Sequence, residues 1–446
     1  MTVTSVDTAA GGVMSCDEEK KHFLMEARAR ECARVLSMAL TAVLHNKQAL
    51  DHFLNGLFRN NPKYGSKDRR RIGDAVFRVF RDYVFLQKLL PEKEENAENL
   101  LLCSSVLAGE KEFPRSWLEK CDIPEKLLLE VAKKENFSAR VRCLLGKNLS
   151  MTENIPSELL PYFPSNDAAE DVAASLPERS PVWFRNNFPG DGKKTGCIMD
   201  EFTSSGVKIL FHAFKEDAFR LENDKRVQLQ EFSAFREGLF EIQDLSSQCI
   251  GGTLLALPLP ENARVLDYCA GGGGKSLQIA SCIRKQKGKV FSWDIRSNKL
   301  EELRKRAAKA HLDNIHTLDR IPQQRSFDAV LLDVPCSGSG RWRRAPEQRL
   351  LLTEEEIASL VRTQREILEN AAPLVKEGGI LVYGTCSCFY CENEGNIRYF
   401  LEKHPEFILE EYPSPLTGKN ISGMLSILPS HGNCDGAFAA RLRKKG

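Results

Sequence analysis

The sequence predicts an α/β protein: a doubly wound, mostly parallel sheet in its C-terminal part, preceded by an all-α domain and a small α+β module. Three observations predict it. Short apolar runs alternate with amphipathic stretches from Arg264 onward. A glycine-rich turn, Ala270-Gly-Gly-Gly-Gly-Lys275, joins the first of these runs to a helical segment. Acidic residues close several of the runs at what would be one edge of the sheet.

Residues 1–20 are small and polar and read as a disordered tail. Over residues 21–155 the pattern is helical: Ala33, Leu36, Leu40, Val43 and Leu44 recur at helical spacing, as do Ile72, Val76, Val79 and Phe80. Pro114 and Pro124 read as helix starts. Between two of these helices lies Gly65-Ser-Lys-Asp-Arg-Arg-Arg71, either a capped helix start with solvated arginines or an RNA contact. A loop rich in Pro, Ser and Asn, residues 155–166, leads into an α+β module over 170–257. Short strands are expected there at 181–185, 207–210 and 238–244, with Asp244 capping a helix that runs to Leu257. In the last domain, 258–446, strands are expected at 264–268, 289–293, 315–318, 328–333 and 379–384. Helices at 275–285, 297–311 and 354–372 lie between them. Residues 423–442 would close the sheet with a hairpin, and Arg441-Leu-Arg-Lys-Lys445 reads as a solvated basic end.

The length of 446 residues allows two or three domains, and 42% hydrophobic with 28% charged residues is the balance of a soluble globular chain. A net charge of +2 gives no global field toward nucleic acid, so local clusters must carry any such argument. No apolar run is long enough to span a membrane, and the N-terminus lacks the pattern of a signal peptide. Fourteen cysteines spread over this length point to a reduced, cytoplasmic setting rather than a disulfide scaffold.

The glycine turn ends an apolar run at Asp267, and the order strand, glycine turn, helix opens a nucleotide-type site. Gly274-Lys275-Ser276 resembles the end of a phosphate-binding loop, but the first glycine of that pattern would fall on Cys269. Asp294, closing the next run, is placed to bind ribose hydroxyls, which a dinucleotide and S-adenosylmethionine share. Asp267, Asp294, Asp319 and Asp333 all follow apolar runs, which favours an adenosyl pocket over four separate helix caps.

The cysteines discriminate further. Asp333-Val-Pro-Cys-Ser337 and Thr385-Cys-Ser387 follow adjacent expected strands, which would bring Cys336 and Cys386 together as reactive thiols beside the cofactor loop. Cys386-Ser-Cys-Phe-Tyr-Cys391 lacks a matching Cys/His pair nearby, so no metal is expected. A thiolate beside a sulfonium methyl donor has a specific use. Its attack on C6 of a pyrimidine makes the poorly nucleophilic C5 an enamine-type carbon able to take a methyl group. Asp333 is placed to serve as the acid at N3, and a second thiol could help in release.

In these motifs the chain resembles the RNA (cytosine-5) methyltransferase family that includes the bacterial Sun/Fmu ribosomal-RNA enzymes. The resemblance covers residues 180–446 and follows the family's motif order: Gln243-Asp-Leu-Ser-Ser-Gln248, Asp267-Tyr-Cys-Ala-Gly-Gly-Gly-Gly-Lys275, Asp294, Asp319, Asp333-Val-Pro-Cys-Ser337, Arg343-Arg-Ala-Pro346, Gly384-Thr-Cys-Ser387 and Asp435-Gly-Ala-Phe438. It implies a Rossmann-like S-adenosylmethionine-dependent methyltransferase domain. It implies Cys386 as nucleophile and Cys336 in product release, whereas DNA cytosine-5 enzymes would use the cysteine at Cys336. It also implies S-adenosylmethionine contacts from Cys269, Ala270, Gly271, Gly272, Gly273, Gly274, Lys275, Asp294, Asp319 and Asp333. The helical N-terminal part is similar to the NusB-like RNA-binding domain of bacterial members, with Lys67-Asp-Arg-Arg70 as its best signature. Two departures stand out. The usual Ala-Pro-Gly-Gly-Lys loop here has four glycines and no proline, and Asp435-Gly-Ala-Phe438 has alanine where the family often has an aromatic.

RNA would be held by Gly340-Arg-Trp-Arg-Arg344, with Arg341, Arg343 and Arg344 and an indole at the mouth of the pocket, and by Arg185. The expected partner is RNA, ribosomal RNA or a small-subunit particle first, transfer RNA second, bound by a monomer with no obligate protein partner. The competing reading from a different class is a non-catalytic RNA-binding ribosome-assembly factor.

Overall fold

The computed structural model describes residues 16–90, 95–146, 150–222, 227–321 and 327–446. It divides into two units, residues 1–150 and 151–446. In the first unit every regular element among the described residues is helical. Its opening helix, Cys16–Leu40, takes in residues 16–20, which the sequence assigned to a tail. Residues 1–15 lie outside the described residues. Ile72, Val76, Val79 and Phe80 of the helix Ser66–Leu89 are fully buried, as their spacing predicts. That helix starts straight after Gly65, and Arg70 and Arg71 pair with Asp74 and Asp68 on its own surface. Pro114 and Pro124 sit at the N-caps of the helices Arg115–Leu118 and Glu125–Ala132.

The second unit carries two main sheets. The smaller is antiparallel and contains β1 (Trp183–Asn186), β2 (Ile209–Phe211), β3 (Ala218–Leu221) and β4 (Phe240–Ile242), in the order β2-β3-β1-β4. Strand β3 and the helix Gly192–Ser204 behind the sheet have no counterpart in the sequence prediction. Residues 155–166, expected as a loop, contain a 3-10 turn at Ser157–Tyr162, and Ser165 caps a helix, Asn166–Ser175.

The larger sheet begins with β5 (Arg264–Asp267), β6 (Lys289–Ser292), β7 (Ile315–Thr317), β8 (Phe327–Asp333) and β9 (Val375–Thr385), parallel in the order β9-β8-β5-β6-β7. After β10 (Phe407–Leu409), a two-stranded ribbon of β11 (Tyr412–Pro413) and β12 (Asn420–Ile421) leads to β13 (Met424–Ile427) and β14 (Ala437–Lys444). Strand β14 runs antiparallel beside β9, with β10 and β13 on its other side. The connection reverses direction between β5 and β8, which leaves a crevice beyond their carboxyl ends.

Both faces of this sheet are buried, which explains the near-continuous apolar strands. Val265, Leu331 and Val382 face one cluster with Leu277 and Leu303, while Leu266, Leu332 and Leu381 face another with Leu368 and Phe400. Burial of each such side chain contributes about 1.5–3 kcal/mol. The helix Glu354–Ala371 covers the second face. Thr353 and Glu356 form its capping box, with three glutamates in the first turn.

The C-terminal basic run is a strand and not a solvated end. Arg441 is fully buried in β14; its Nη1 donates to the carbonyls of Thr253 and Leu254 (both 2.9 Å), and its Nε to Glu410 (2.7 Å). Lys444 donates to the carbonyls of Ala372 and Val375. These long side chains cap the carbonyl ends of neighbouring helical segments, where a positive charge is favoured. Replacing Arg441 by Ala leaves Glu410 and two buried carbonyls without that partner. The expected loss is about 3–5 kcal/mol of stability, read as a lowered urea midpoint.

Candidate active site

Strand β5 delivers Asp267 to the base of the crevice, and the chain then turns through the four glycines into the helix Gly274–Ile283. Gly273 has φ +83°, and a Cβ there would lie 2.1 Å from Leu303 Cδ1, so both the turn and its packing require glycine. Gly271, at φ +52°, has open space where a Cβ would be and donates its N–H to Asp294 Oδ2 at 2.8 Å. Ala270 N–H bonds to the carbonyl of Trp293. The loop is thus tied to β6 without the missing proline.

These residues line a cleft of about 690 Å³, a size suited to a nucleoside-type ligand. Cys269, Ala270, Gly271, Gly272, Gly274, Lys275, Asp294 and Asp333 lie on its wall. Gly273 does not, since its role is the turn. Asp319 is exposed in the bend after β7, outside the lining, because the strand order puts β7 at the sheet edge. The lining also includes residues that no strand-end pattern marks: Ser247, Ile295, and Thr363, Glu366 and Ile367 of the helix Glu354–Ala371. Ile295 is 85% exposed and offers an apolar face at the rim. Gln243, part of a quoted motif, lines the cleft as well.

The carboxylates differ in state. Burial pushes Asp267 up to about 7 even though Ser276 Oγ donates to its Oδ2 (2.6 Å); its buried Oδ1 has no hydrogen-bond partner among the described residues. Burial also acts upward on Asp294, but Arg296 and the Gly271 amide hold it below the usual range. Lys275 Nζ reaches across from the helix start to Asp333 Oδ2 (2.7 Å) and to Ser247 Oγ (2.8 Å).

Beyond β8 and β9 the two cysteines meet. Their strands pair in parallel with Asp333 opposite Gly384, and the Sγ atoms of Cys336 and Cys386 lie 3.2 Å apart. Three backbone loops are stitched at this point: Cys386 N–H points at Cys336 Sγ (3.3 Å), Gly340 N–H bonds to Cys386 O (3.0 Å), and Gly436 N–H to Gly340 O (2.8 Å). A Cβ on Gly340 would lie 2.1 Å from Gly436 O. The pair is electrostatically unequal. Donation from the Cys336 thiol lowers Cys386 against the opposing effect of burial, helped by Arg341 and Lys275. Cys336 is raised, first by Cys386, then by burial and by Glu392.

The arginines are a correction to the sequence reading. Arg185 is fully buried in β1; its Nε donates to Gln243 Oε1 (2.6 Å), so it supports the cleft wall and presents no face to RNA. Arg343, 3% exposed, bonds to Asn433 Oδ1 and Arg179 O. Arg344 joins Asp244 and Asp435 (2.7 Å each) and the Pro181 carbonyl. Trp342 is a core residue whose ring meets Phe163 and Phe389 edge to face. Only Arg341 of the four arginines is exposed. Gln243 thus holds Arg185 inward, and the Arg179 and Pro181 carbonyls with Asn433, Asp244 and Asp435 hold Arg343 and Arg344.

Among the described residues no helix is long and apolar enough to cross a membrane. Residues 254–443 match the model of the family described as 16S rRNA methyltransferase RsmB/F. Curated relatives include the probable ribosomal RNA small subunit methyltransferase B of Bacillus subtilis (strain 168), 34% identical over 56% of this chain and 57% of that protein. The ribosomal RNA small subunit methyltransferase B of Yersinia pestis bv. Antiqua (strain Angola) is 31% identical over 60% and 61%. The chain therefore spans about three-fifths of the length of these relatives. Among solved structures, PH0851 superposes with a TM-score of 0.69 and 22% identity over 94% of this chain and 99% of its own. NSun6 from Pyrococcus horikoshii, solved with SFG, gives 0.55 and 20% over 65% and 98%. These likenesses concern the fold, and the larger sheet with its helices is a doubly wound, Rossmann-like one.

The raised Asp267 makes a prediction with a definite sign. In the unfolded chain an aspartate ionises at about 4. Between that pH and about 7 the folded state holds a proton that the unfolded state has lost, so stability falls as pH rises through this window. Asp267→Asn is expected to raise the melting temperature at pH 8 and to leave it nearly unchanged at pH 4, as calorimetric scans at both values would record.

Proposed function

We propose that this chain belongs to the RsmB/F methyltransferase family, whose model residues 254–443 match, and that it transfers a methyl group from S-adenosylmethionine to C5 of a cytosine in RNA, ribosomal RNA first. The observation that carries the reading is the contact between Cys336 and Cys386 beside the glycine-loop cleft.

The cleft suits the cofactor. Asp294 would take its ribose hydroxyls, and the unpartnered Asp267 Oδ1 is an acceptor waiting for a donor such as an ammonium group. Ile295, Val334 and Ile367 supply apolar wall for a purine. Bound there, S-adenosylmethionine supplies a methyl group activated on a sulfonium sulfur.

The protein's own residues do the rest. Cys386, whose ionisation Cys336 and Arg341 favour, bonds as the thiolate to C6 of the cytosine, and the ring electrons move toward N3. Asp333, held by Lys275, is the proposed acid there: the ammonium at 2.7 Å supplies a proton that the carboxylate passes to N3 and takes back when the adduct breaks down. C5 then has the electron pair that an electrophilic methyl group requires. After methylation a base removes the original C5 proton, the C5–C6 double bond reforms, and the sulfur leaves as thiolate. Cys336 is the proposed helper in that release, already within 3.2 Å of the sulfur that must leave. Arg341 is the one arginine of its segment placed to meet an RNA phosphate, and extrusion of the base from its stack would cost a few kcal/mol in a duplex.

The test incubates the full chain with methyl-labelled S-adenosylmethionine and, separately, small-subunit ribosomal RNA, small-subunit particles and transfer RNA. Cys386→Ala is expected to lose at least about a thousandfold in rate and to form no adduct. Cys336→Ala is expected to accumulate a protein–RNA adduct stable to denaturant. The reverse pattern would make Cys336 the nucleophile. Binding of RNA with no transfer to any of them would indicate an assembly factor. The wild-type rate should rise with pH and level off at a lower pH than an ordinary thiol would give, because Cys386 is lowered.

A further inference from the structure

Glu392 is fully buried, in the turn Tyr390–Glu392 that follows β9. It lies outside the cofactor cleft, yet four donors converge on its carboxylate. Oε1 accepts from Ser337 N–H and from Gln364 Nε2, both at 2.9 Å. Oε2 accepts from Ser337 Oγ (2.5 Å) and from Ser387 Oγ. Ser337 is the residue after Cys336, and Ser387 the residue after Cys386. Ser339 completes the tie: its Oγ lies 3.0 Å from Ser387 Oγ and accepts the N–H of Cys388 at 2.8 Å. Gln364 Nε2 also bonds to the Pro335 carbonyl.

A carboxylate is an expensive way to fill a core. Replacing such a carboxylate together with all its donors by apolar side chains of the same volume is often neutral or stabilising, so a fully bonded buried charge points to a geometric task. Here the two ends of that geometry are the two cysteine loops.

We propose that Glu392 is a positioning residue for the thiol pair, binding the residue after each cysteine and so setting the sulfur–sulfur contact. It touches neither sulfur's reaction partner. Its charge has a second effect, since it faces Cys336 and disfavours ionisation there, which leaves the thiolate on Cys386. The other groups that face the pair are Arg341, Lys275 and Asp333 around Cys386 and the Gly338 amide at Cys336. The inference rests on the reading of Cys386 as the nucleophile given above.

The test uses thiol chemistry and no RNA. The full chain is treated with limiting iodoacetamide across pH 6–10, and peptide mass spectrometry reads the label on Cys336 and on Cys386. In wild type the label is expected on Cys386. Glu392→Gln keeps the shape but removes the charge and turns an acceptor oxygen into a donor. It should lower the Cys386 to Cys336 label ratio by about tenfold, equivalent to one pKa unit. S-adenosylmethionine affinity should stay within about twofold by calorimetry. Ser387→Ala cuts one tie and keeps the charge, and is expected to move the ratio the same way by a smaller factor; it decides alone where the glutamine variant fails to fold. An unchanged label ratio and pH midpoint, in variants that melt and bind S-adenosylmethionine as wild type does, overturns the proposal. A wild-type protein that methylates no RNA would instead sink the proposed activity, and the label ratio would still report on Glu392.

Discussion

The parallel pairing of β8 with β9 is the constraint on which the site depends. Adjacent strands lie about 4.8 Å apart, and the register sets Asp333 beside Gly384. Both strands end at the same edge, so the segments that leave them, Val-Pro-Cys and Thr-Cys, have nowhere to go but together. The two cysteines thereby come side by side, and with their sulfurs 3.2 Å apart there is an electrostatic consequence. Two thiols at this distance cannot both ionise, so the surroundings of each decide which one does. Arg341 and Lys275 lie toward Cys386 and Glu392 toward Cys336. The inequality is built from residues of three separate segments.

Lys275 joins this thiol site to the cofactor side. It belongs to the first turn of the helix after the glycine loop, yet its ammonium pairs with Asp333 on β8 across the reversal point of the sheet. The pair is largely removed from water, with the lysine side chain 9% exposed. Such pairs add little net stability and fix relative position well. Loop, helix and strand therefore keep one arrangement, and the wall of the cleft runs without a break from Asp294 to Pro335.

Basic residues show how far local sequence misleads about surfaces. Arg185, Arg343, Arg344 and Arg441 all read as solvated or RNA-facing in sequence, and all four are engaged inside the protein. The guanidinium fork can reach a backbone carbonyl or carboxylate several residues from its own Cα and carry an apolar stem inward with it. Arg344 in this way ties β4's flank to the loop of Asp435, joining the small sheet to the large one. Asp319 is the converse case. Its local pattern equals that of Asp294, but β7 stands at the sheet edge and the residue ends in solvent.

The alternation of apolar runs and helices determined the fold class, because a strand buried on both faces and an amphipathic helix leave different periodicities in any window of sequence. The glycine turn, the aspartates at strand ends and the two cysteines were legible for the same reason: each depends on residue type beside a local boundary. Tertiary structure alone decided the full strand order, the register that sets the sulfurs 3.2 Å apart, the burial of the arginines and the place of Glu392. These are matters of which distant segments share a space, and long-range packing leaves no periodic trace in the chain.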